Sequence, residues 1–197
     1  IMKIRIYLIR HGKIAIGNEK RYVGITDLLL DDTGISQANL LKNYFSHIPI
    51  EQVFTSPLKR CLHTTEIICE EKQQDYIIVK DFMEINMGTW ENKPIAEIKE
   101  NFPEAYEERG KNFASFLPPE GESFNQLAKR VLKAFDSIVN NYSGNIMIVS
   151  HAGVNKVILS KILEVPLQDI FRDDQPYGCV NELILDDNYQ WQYKRLI

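Results

Sequence analysis

The stretch KIRIYLI at residues 3–9 runs directly into Arg10-His11-Gly12. Its β-branched and aromatic residues read as a buried strand, and the charged tripeptide falls at that strand's carboxyl end. A neutral imidazole held there is a competent nucleophile toward a phosphoryl group, and a neighbouring guanidinium binds and orients phosphate oxygens. Three residues alone also suit an ordinary loop histidine. The choice between the two depends on whether further pieces of one phosphate site recur downstream.

Gly12 to about Asp32 reads as a polar, Gly-containing loop. Thr33 to Tyr44 reads as a helix, with Ile35, Ala38, Leu41 and Phe45 on one face. Val53-Phe54-Thr55 is a short strand, after which Ser56 and Pro57 are expected as N-cap and first residue of a helix. Ile77 to Val79 reads as a third strand. The stretch 81–121 holds Pro94, Pro103, Pro118 and Pro119 and reads as an irregular lid or side insert, with short helices near 94–101 and 103–110. Ser123 and Gln126 form a capping-box signature for the longest helix. Phe124, Leu127, Ala128, Val131, Phe135, Ile138 and Tyr142 give that helix one apolar face. NIMIVS at 145–150 is a buried strand, Gly153 to Leu163 a helix, and 179–185 with 189–196 alternate as an edge hairpin would. Strands alternating with helices predict an α/β fold with a mainly parallel sheet, and 197 residues suit one domain spanning 1–197.

Composition narrows the class. Hydrophobic residues at 44% and charged residues at 25% are ordinary for a soluble globular protein, and the net charge of −4 excludes nucleic-acid binding by bulk electrostatics. No apolar run reaches the roughly 18–20 residues of a membrane span, and the basic, strand-like start lacks a signal-peptide pattern. Cys61, Cys69 and Cys179 have no zinc spacing. On one helix Cys61 and Cys69 would stand roughly 12 Å apart, too far for a disulfide. Reduced thiols and a cytoplasmic location are the expectation. The four histidines have no metal-binding spacing, which argues against a metal-dependent phosphatase.

In open α/β sheets, ligands bind beyond the carboxyl ends of the strands. Three candidate pieces fall there: Arg10-His11-Gly12, Ser56-Pro57-Leu58-Lys59-Arg60 and Ser150-His151-Ala152-Gly153. Arg60 would lie in the first turn of its helix, near free backbone N–H groups and the positive dipole end. A solvated surface arginine is the competing reading for Arg60, and a packed core histidine for His151. Gly153 would permit close backbone approach. Hydrolysis also needs a proton donor for the departing alcohol. Glu84 is the best candidate, set between a strand and a Gly turn where partial burial would favour the protonated acid. Asp81 and Glu91 are the competing carboxylates.

With these residues in view, the chain resembles the histidine phosphatase (phosphoglycerate-mutase-like) superfamily. RHG at 10–12, SPLKRCLHT at 56–64, FMEINMGTWE at 82–91, GESF at 121–124 and SHAGV at 150–154 stand in that family's order and spacing. RYVGITDLLLDDTGISQA at 21–38 and FRDDQPYGCVNEL at 171–183 look like its α-ribazole phosphatase branch. The resemblance implies a three-layer α/β/α sandwich and a metal-independent, cofactor-free phosphoryl transfer from a small phosphorylated substrate. In that scheme His11 is the nucleophile, Glu84 the acid and then base, and Arg10, Arg60 and His151 surround the phosphate, with His151 partly protonated. Activity would then fall as rising pH removed the His151 proton. Gly24, Ala152 and Asn18 are the implied substrate contacts. Asn18 is offset: the family's asparagine would fall on Gly17, so a one-residue loop adjustment is required. The sequence also departs at Lys13-Ile14, where the family usually has Glu-Thr, and at Leu29 and Asp31. Lys13 would add positive charge at the pocket mouth or point to solvent. Competing functions are a broad sugar-phosphate or nucleotide phosphatase, a phosphoglycerate mutase and a non-catalytic phosphate-binding module.

Overall fold

The computed structural model describes residues 2–170 and 173–197. Its central sheet has six strands: β1 (Met2–Arg10), β3 (Gln52–Thr55), β4 (Ile77–Ile78), β6 (Gly144–Ser150), β7 (Val180–Asp186) and β8 (Trp191–Arg195), in the order β4-β3-β6-β1-β7-β8. The four strands β4, β3, β6 and β1 run parallel, as expected from the alternation of strands and helices. β7 and β8 close the sheet as an antiparallel hairpin. β7 covers the flank of β1, so only β8 is left as the edge on that side.

β1 shows why the sheet carries helices on both faces. Ile4, Ile6 and Leu8 join one core, while Tyr7 and Ile9 join the other, as the two-residue period of a strand requires. Helices α1 (Asp32–Phe45) and α2 (Lys59–Cys69) pack on the Tyr7/Ile9 face through Leu41, Phe45, Cys61 and Ile68. Helices α5 (Phe124–Asn141) and α6 (Ala152–Ile162) pack on the other through Leu127, Val131, Phe135, Val157 and Ile158. The result is a three-layer α/β/α sandwich. α5 opens on the anticipated capping box: Ser123 accepts from the Gln126 backbone N–H, and the Gln126 side chain accepts from that of Ser123.

The polar loop and the proline-rich stretch are linked by a two-stranded ribbon, β2 (Arg21–Tyr22) against β5 (Lys93–Pro94). The short helices α3 (Ile95–Asn101) and α4 (Pro103–Lys111) follow, at nearly the expected bounds. Tyr142, expected on the apolar face of α5, instead caps its C-terminus and meets Phe54 edge-on. No helix among the described residues is long and apolar enough to cross a membrane.

Ser56 and Pro57 need a correction. α2 begins two residues later than expected, at Lys59, with Leu58 as a cap that makes no side-chain bond. The Ser56 hydroxyl accepts from Leu58 N–H at 3.3 Å and sits 2.7 Å from His151 Nε2. The hydroxyl keeps a local bond two residues on and shares its oxygen with a tertiary partner.

Candidate active site

Sheet register brings the strand-end motifs together. Arg10 lies opposite Ser150 across the β1–β6 ladder, and Thr55 lies opposite Val149 across β3–β6. Arg10-His11, Ser56 and Ser150-His151 therefore leave three adjacent parallel strands at the same level. The His11 and His151 rings meet edge to face with centroids 5.2 Å apart.

His11 is 3% exposed, and its Nδ1 lies 2.7 Å from the carbonyl oxygen of Gly12. That carbonyl can only accept, so Nδ1 carries the proton and Nε2 keeps a free lone pair. Arg60 Nε points at this lone pair from 3.3 Å. Burial first, then the Arg60 and Arg10 charges, hold the His11 pKa well below the ordinary 6.5, so the ring is neutral at neutral pH.

Arg60 lies in the first turn of α2, as expected, yet it is 1% exposed and not a surface residue. Its Nη1 and Nη2 donate to the carbonyls of Thr26 (2.7 Å) and Gly24 (2.5 Å), which turns Nε toward His11. Arg10 Nη1 donates to the Gln175 carbonyl at 2.6 Å and its guanidinium stacks 4.0 Å from the centre of the Tyr177 ring. Arg10 Nε is buried with no hydrogen-bond partner among the described residues. An unpaired cationic donor beside a neutral imidazole is chemically suited to an anion's oxygen.

His151 is fully buried. Burial, then Arg60, His11 and Arg10, hold its pKa well below 6.5. The expected partial protonation is therefore corrected: in this cationic surrounding His151 is neutral near pH 7 and offers a ring N–H, not a charge. Cys61 Sγ lies 3.4 Å from His151 Nε2, but burial pushes its thiol up to about 12 and keeps it protonated.

Glu84, 7% exposed, reaches the start of α6 from the other side. Its carboxylate accepts from Gly153 N–H and Ile85 N–H, both at 3.0 Å. A Cβ at residue 153 would overlap Glu84 Oε1, so the glycine admits the acid. Arg130 on α5 fixes the loop beneath, donating to the carbonyls of Asp81 and Met83 at 2.7 Å and of Glu84 at 3.1 Å, with Glu122 as its ionic partner. Glu84, Ala152 and Gly153 border a cleft of about 280 Å³ whose walls also include Tyr22, Arg109 and Phe113.

The competing carboxylates are placed elsewhere. Asp81 is exposed. Glu91 accepts backbone N–H bonds from Gly24, Ile25, Thr26 and Met87. Gly24 holds Arg60 through its carbonyl, while Asn18 stands exposed on a turn beside Gly17 (φ +66°) and is not drawn into the cluster. Lys13 pairs with Asp31, the N-cap of α1, and so serves the helix start. Within FRDDQPYGCVNEL, Phe171 and Arg172 lie outside the described residues. Gln175 and Tyr177 of that segment reach Arg10. The reading of single motifs left out Ser56, Tyr177, Glu122 and Arg130 as site-forming groups. Ser56, Glu122 and Tyr177 lie inside the sequence motifs given above, whereas nothing local marks an arginine on a helix as a loop clamp.

Residues 6–196 match the family model of the histidine phosphatase superfamily (branch 1). The chain is 28% identical over 178 residues to the adenosylcobalamin/alpha-ribazole phosphatase of Salmonella typhimurium, covering 89% of this chain and 88% of that one. The crystal structure of the alpha-ribazole phosphatase from Shigella flexneri superposes with a TM-score of 0.89 at 25% identity, over 98% and 96% of the two chains. The mycobacterial glucosyl-3-phosphoglycerate phosphatase Rv2419c shares the fold with a TM-score of 0.88 at 18% identity, over 98% of each chain. With nearly its whole length matched and an arginine-flanked histidine at the sheet's carboxyl edge, the chain belongs to branch 1 of the histidine phosphatase superfamily and is a phosphoric monoester hydrolase.

Proposed function

We propose that the chain is a metal-independent phosphomonoesterase working through a phosphohistidine on His11, with α-ribazole 5'-phosphate as its substrate. The observation that carries the chemistry is the pairing of the His11 Nδ1 with the Gly12 carbonyl, which leaves Nε2 unprotonated and facing Arg60 Nε. Nε2 attacks phosphorus as the ester P–O bond breaks, and Glu84 gives its proton to the departing alcohol oxygen. The ring retains its Nδ1 proton and becomes cationic, which strengthens the bond to the Gly12 carbonyl. Water then loses a proton to Glu84 and attacks phosphorus. The N–P bond breaks, releasing inorganic phosphate and neutral His11. Arg10 and Arg60 counter the charge on the equatorial oxygens in both steps, and His151 adds a neutral donor.

The substrate is proposed from the names of the similar phosphatases together with the aromatic side of the cleft, which Tyr22 and Phe113 line with Arg109 lying over both rings. Asn18 is proposed as a phosphate contact only after its exposed turn folds inward, and Gly24 and Ala152 as backbone walls of the site. One functional domain over 1–197, cytoplasmic placement on the strength of three buried free thiols, and no nucleic-acid partner complete the proposal.

The test is kcat/KM for α-ribazole 5'-phosphate in EDTA beside sugar and nucleotide monophosphates, with acid-quenched protein assayed for acid-labile phosphate. A strong preference for the ribazole ester supports the full proposal. Equal rates across the panel would leave the chemistry and overturn the substrate. Loss of activity in EDTA, or absence of phosphoprotein with every ester, would overturn the mechanism.

A further inference from the structure

Glu91 sits seven residues past the proposed acid, yet its carboxylate is committed elsewhere. Oε1 accepts from Gly24 N–H (3.0 Å), Thr26 N–H (3.0 Å) and the Thr26 hydroxyl (2.6 Å). Oε2 accepts from Ile25 N–H (3.1 Å) and Met87 N–H (2.7 Å). A carboxylate has about four lone-pair sites, so five donors saturate it. Four of those donors belong to the Gly24–Thr26 turn and the fifth to the loop that runs on from Glu84. The two segments are also in backbone contact, since a Cβ at residue 24 would overlap the Ile85 carbonyl oxygen.

That turn does one thing for the site. Its Gly24 and Thr26 carbonyls take both terminal nitrogens of Arg60 and so help set the angle at which Nε faces His11. We propose that Glu91 is a positioning residue: its carboxylate shapes the 24–26 turn that aims Arg60 at His11, and ties that turn to the loop bearing Glu84. This rests on the phosphohistidine reading above. One anionic group thereby sets the geometry of both the phosphate side and the leaving-group side without touching the substrate. Small displacements at this range are costly, since a misplacement of about 1 Å can lower rate roughly 100-fold.

Glu91→Gln keeps the shape and replaces an accepting oxygen by an NH2 that confronts backbone N–H groups. The experiment is a double-mutant cycle of Glu91→Gln with Arg60→Ala, read as kcat/KM on p-nitrophenyl phosphate, together with the competitive Ki of inorganic phosphate. This ester's leaving group needs no acid, so only the Arg60 arm is read. The expected result is a fall of about 10- to 100-fold for Glu91→Gln alone, a raised phosphate Ki, and almost no further loss when Arg60 is already absent. Losses that multiply in the double variant, or an unchanged phosphate Ki, would assign Glu91 a purely structural role and overturn the proposal. If Glu91→Gln does not fold, Thr26→Val deletes one of the five donors at constant shape and enters the same cycle, where multiplying losses again overturn it. Wild-type protein that neither hydrolyses p-nitrophenyl phosphate nor forms phosphohistidine would instead sink the underlying mechanism, so the two failures are distinct.

Discussion

Arg60 Nε and His11 Nε2 lie 3.3 Å apart, so the imidazole's lone pair faces a guanidinium N–H. Arg60→Lys keeps the charge and loses the fork. An ammonium cannot hold the Gly24 and Thr26 carbonyls and also face His11. We expect kcat/KM to fall about 100- to 1000-fold, the scale of a lost transition-state donor. The unpaired buried carbonyls should cost about 1–3 kcal/mol of stability. Steady-state kinetics and a urea midpoint check both, and a loss of stability without a loss of rate would contradict the assigned role.

Glu84→Gln separates the acid from the nucleophile. kcat/KM for p-nitrophenyl phosphate, which reads only the phosphorylation step, should change less than threefold, while that for alkyl esters, whose leaving oxygen needs a proton, should fall about 100- to 10,000-fold. Equal losses on both ester types would move the acid role away from Glu84.

Gly153→Ala drives a Cβ into the space of Glu84 Oε1. The carboxylate must rotate away from the Gly153 N–H it now accepts from at 3.0 Å. The variant should therefore reproduce the ester selectivity of Glu84→Gln in weaker form, roughly 10- to 100-fold on alkyl esters, as misplaced groups do. A uniform loss on all esters would point to damage at His151 and not to the acid.

The pH dependence follows from two histidines held well below 6.5 by burial and by the arginines. Above that value both folded and unfolded chains hold them neutral, so they add no pH dependence to stability. Below it the unfolded chain takes protons first, and stability falls with acidification by up to about 1.4 kcal/mol per pH unit for each histidine. For the same reason the acid limb of kcat/KM on p-nitrophenyl phosphate, corrected for the ester's own ionisation, should lie below pH 6.5. An acid limb centred at or above 6.5 would show that His11 is not shielded in this way.

Residues near in sequence announced most of the layers. KIRIYLI carries a strand period, Ser123 and Gln126 cap a helix three residues apart, and α5 repeats its apolar face every turn. These signals are local, because backbone hydrogen bonding and side-chain period act over a few residues. The β2–β5 ribbon escaped notice because two-residue strands over seventy positions apart have no period to read.

The candidate site divides along the same line. Arg10-His11, Arg60, Glu84 and His151 could be named from their motifs, since chemistry is written in residue type. Which oxygen or nitrogen each one faces could not. Ser56 reads as an N-cap, and nothing local shows that its hydroxyl also meets His151, 95 residues on. Glu84 and Glu91 stand in one ten-residue motif, and only the folded chain surrounds Glu91 with five donors while leaving Glu84 against Gly153 at the cleft. The sequence by itself determined most of the elements and the polar groups that its motifs carry. The tertiary structure decided their partners, because a polar side chain's role depends on which donors, acceptors and charges the sheet register places within about 3 Å of it.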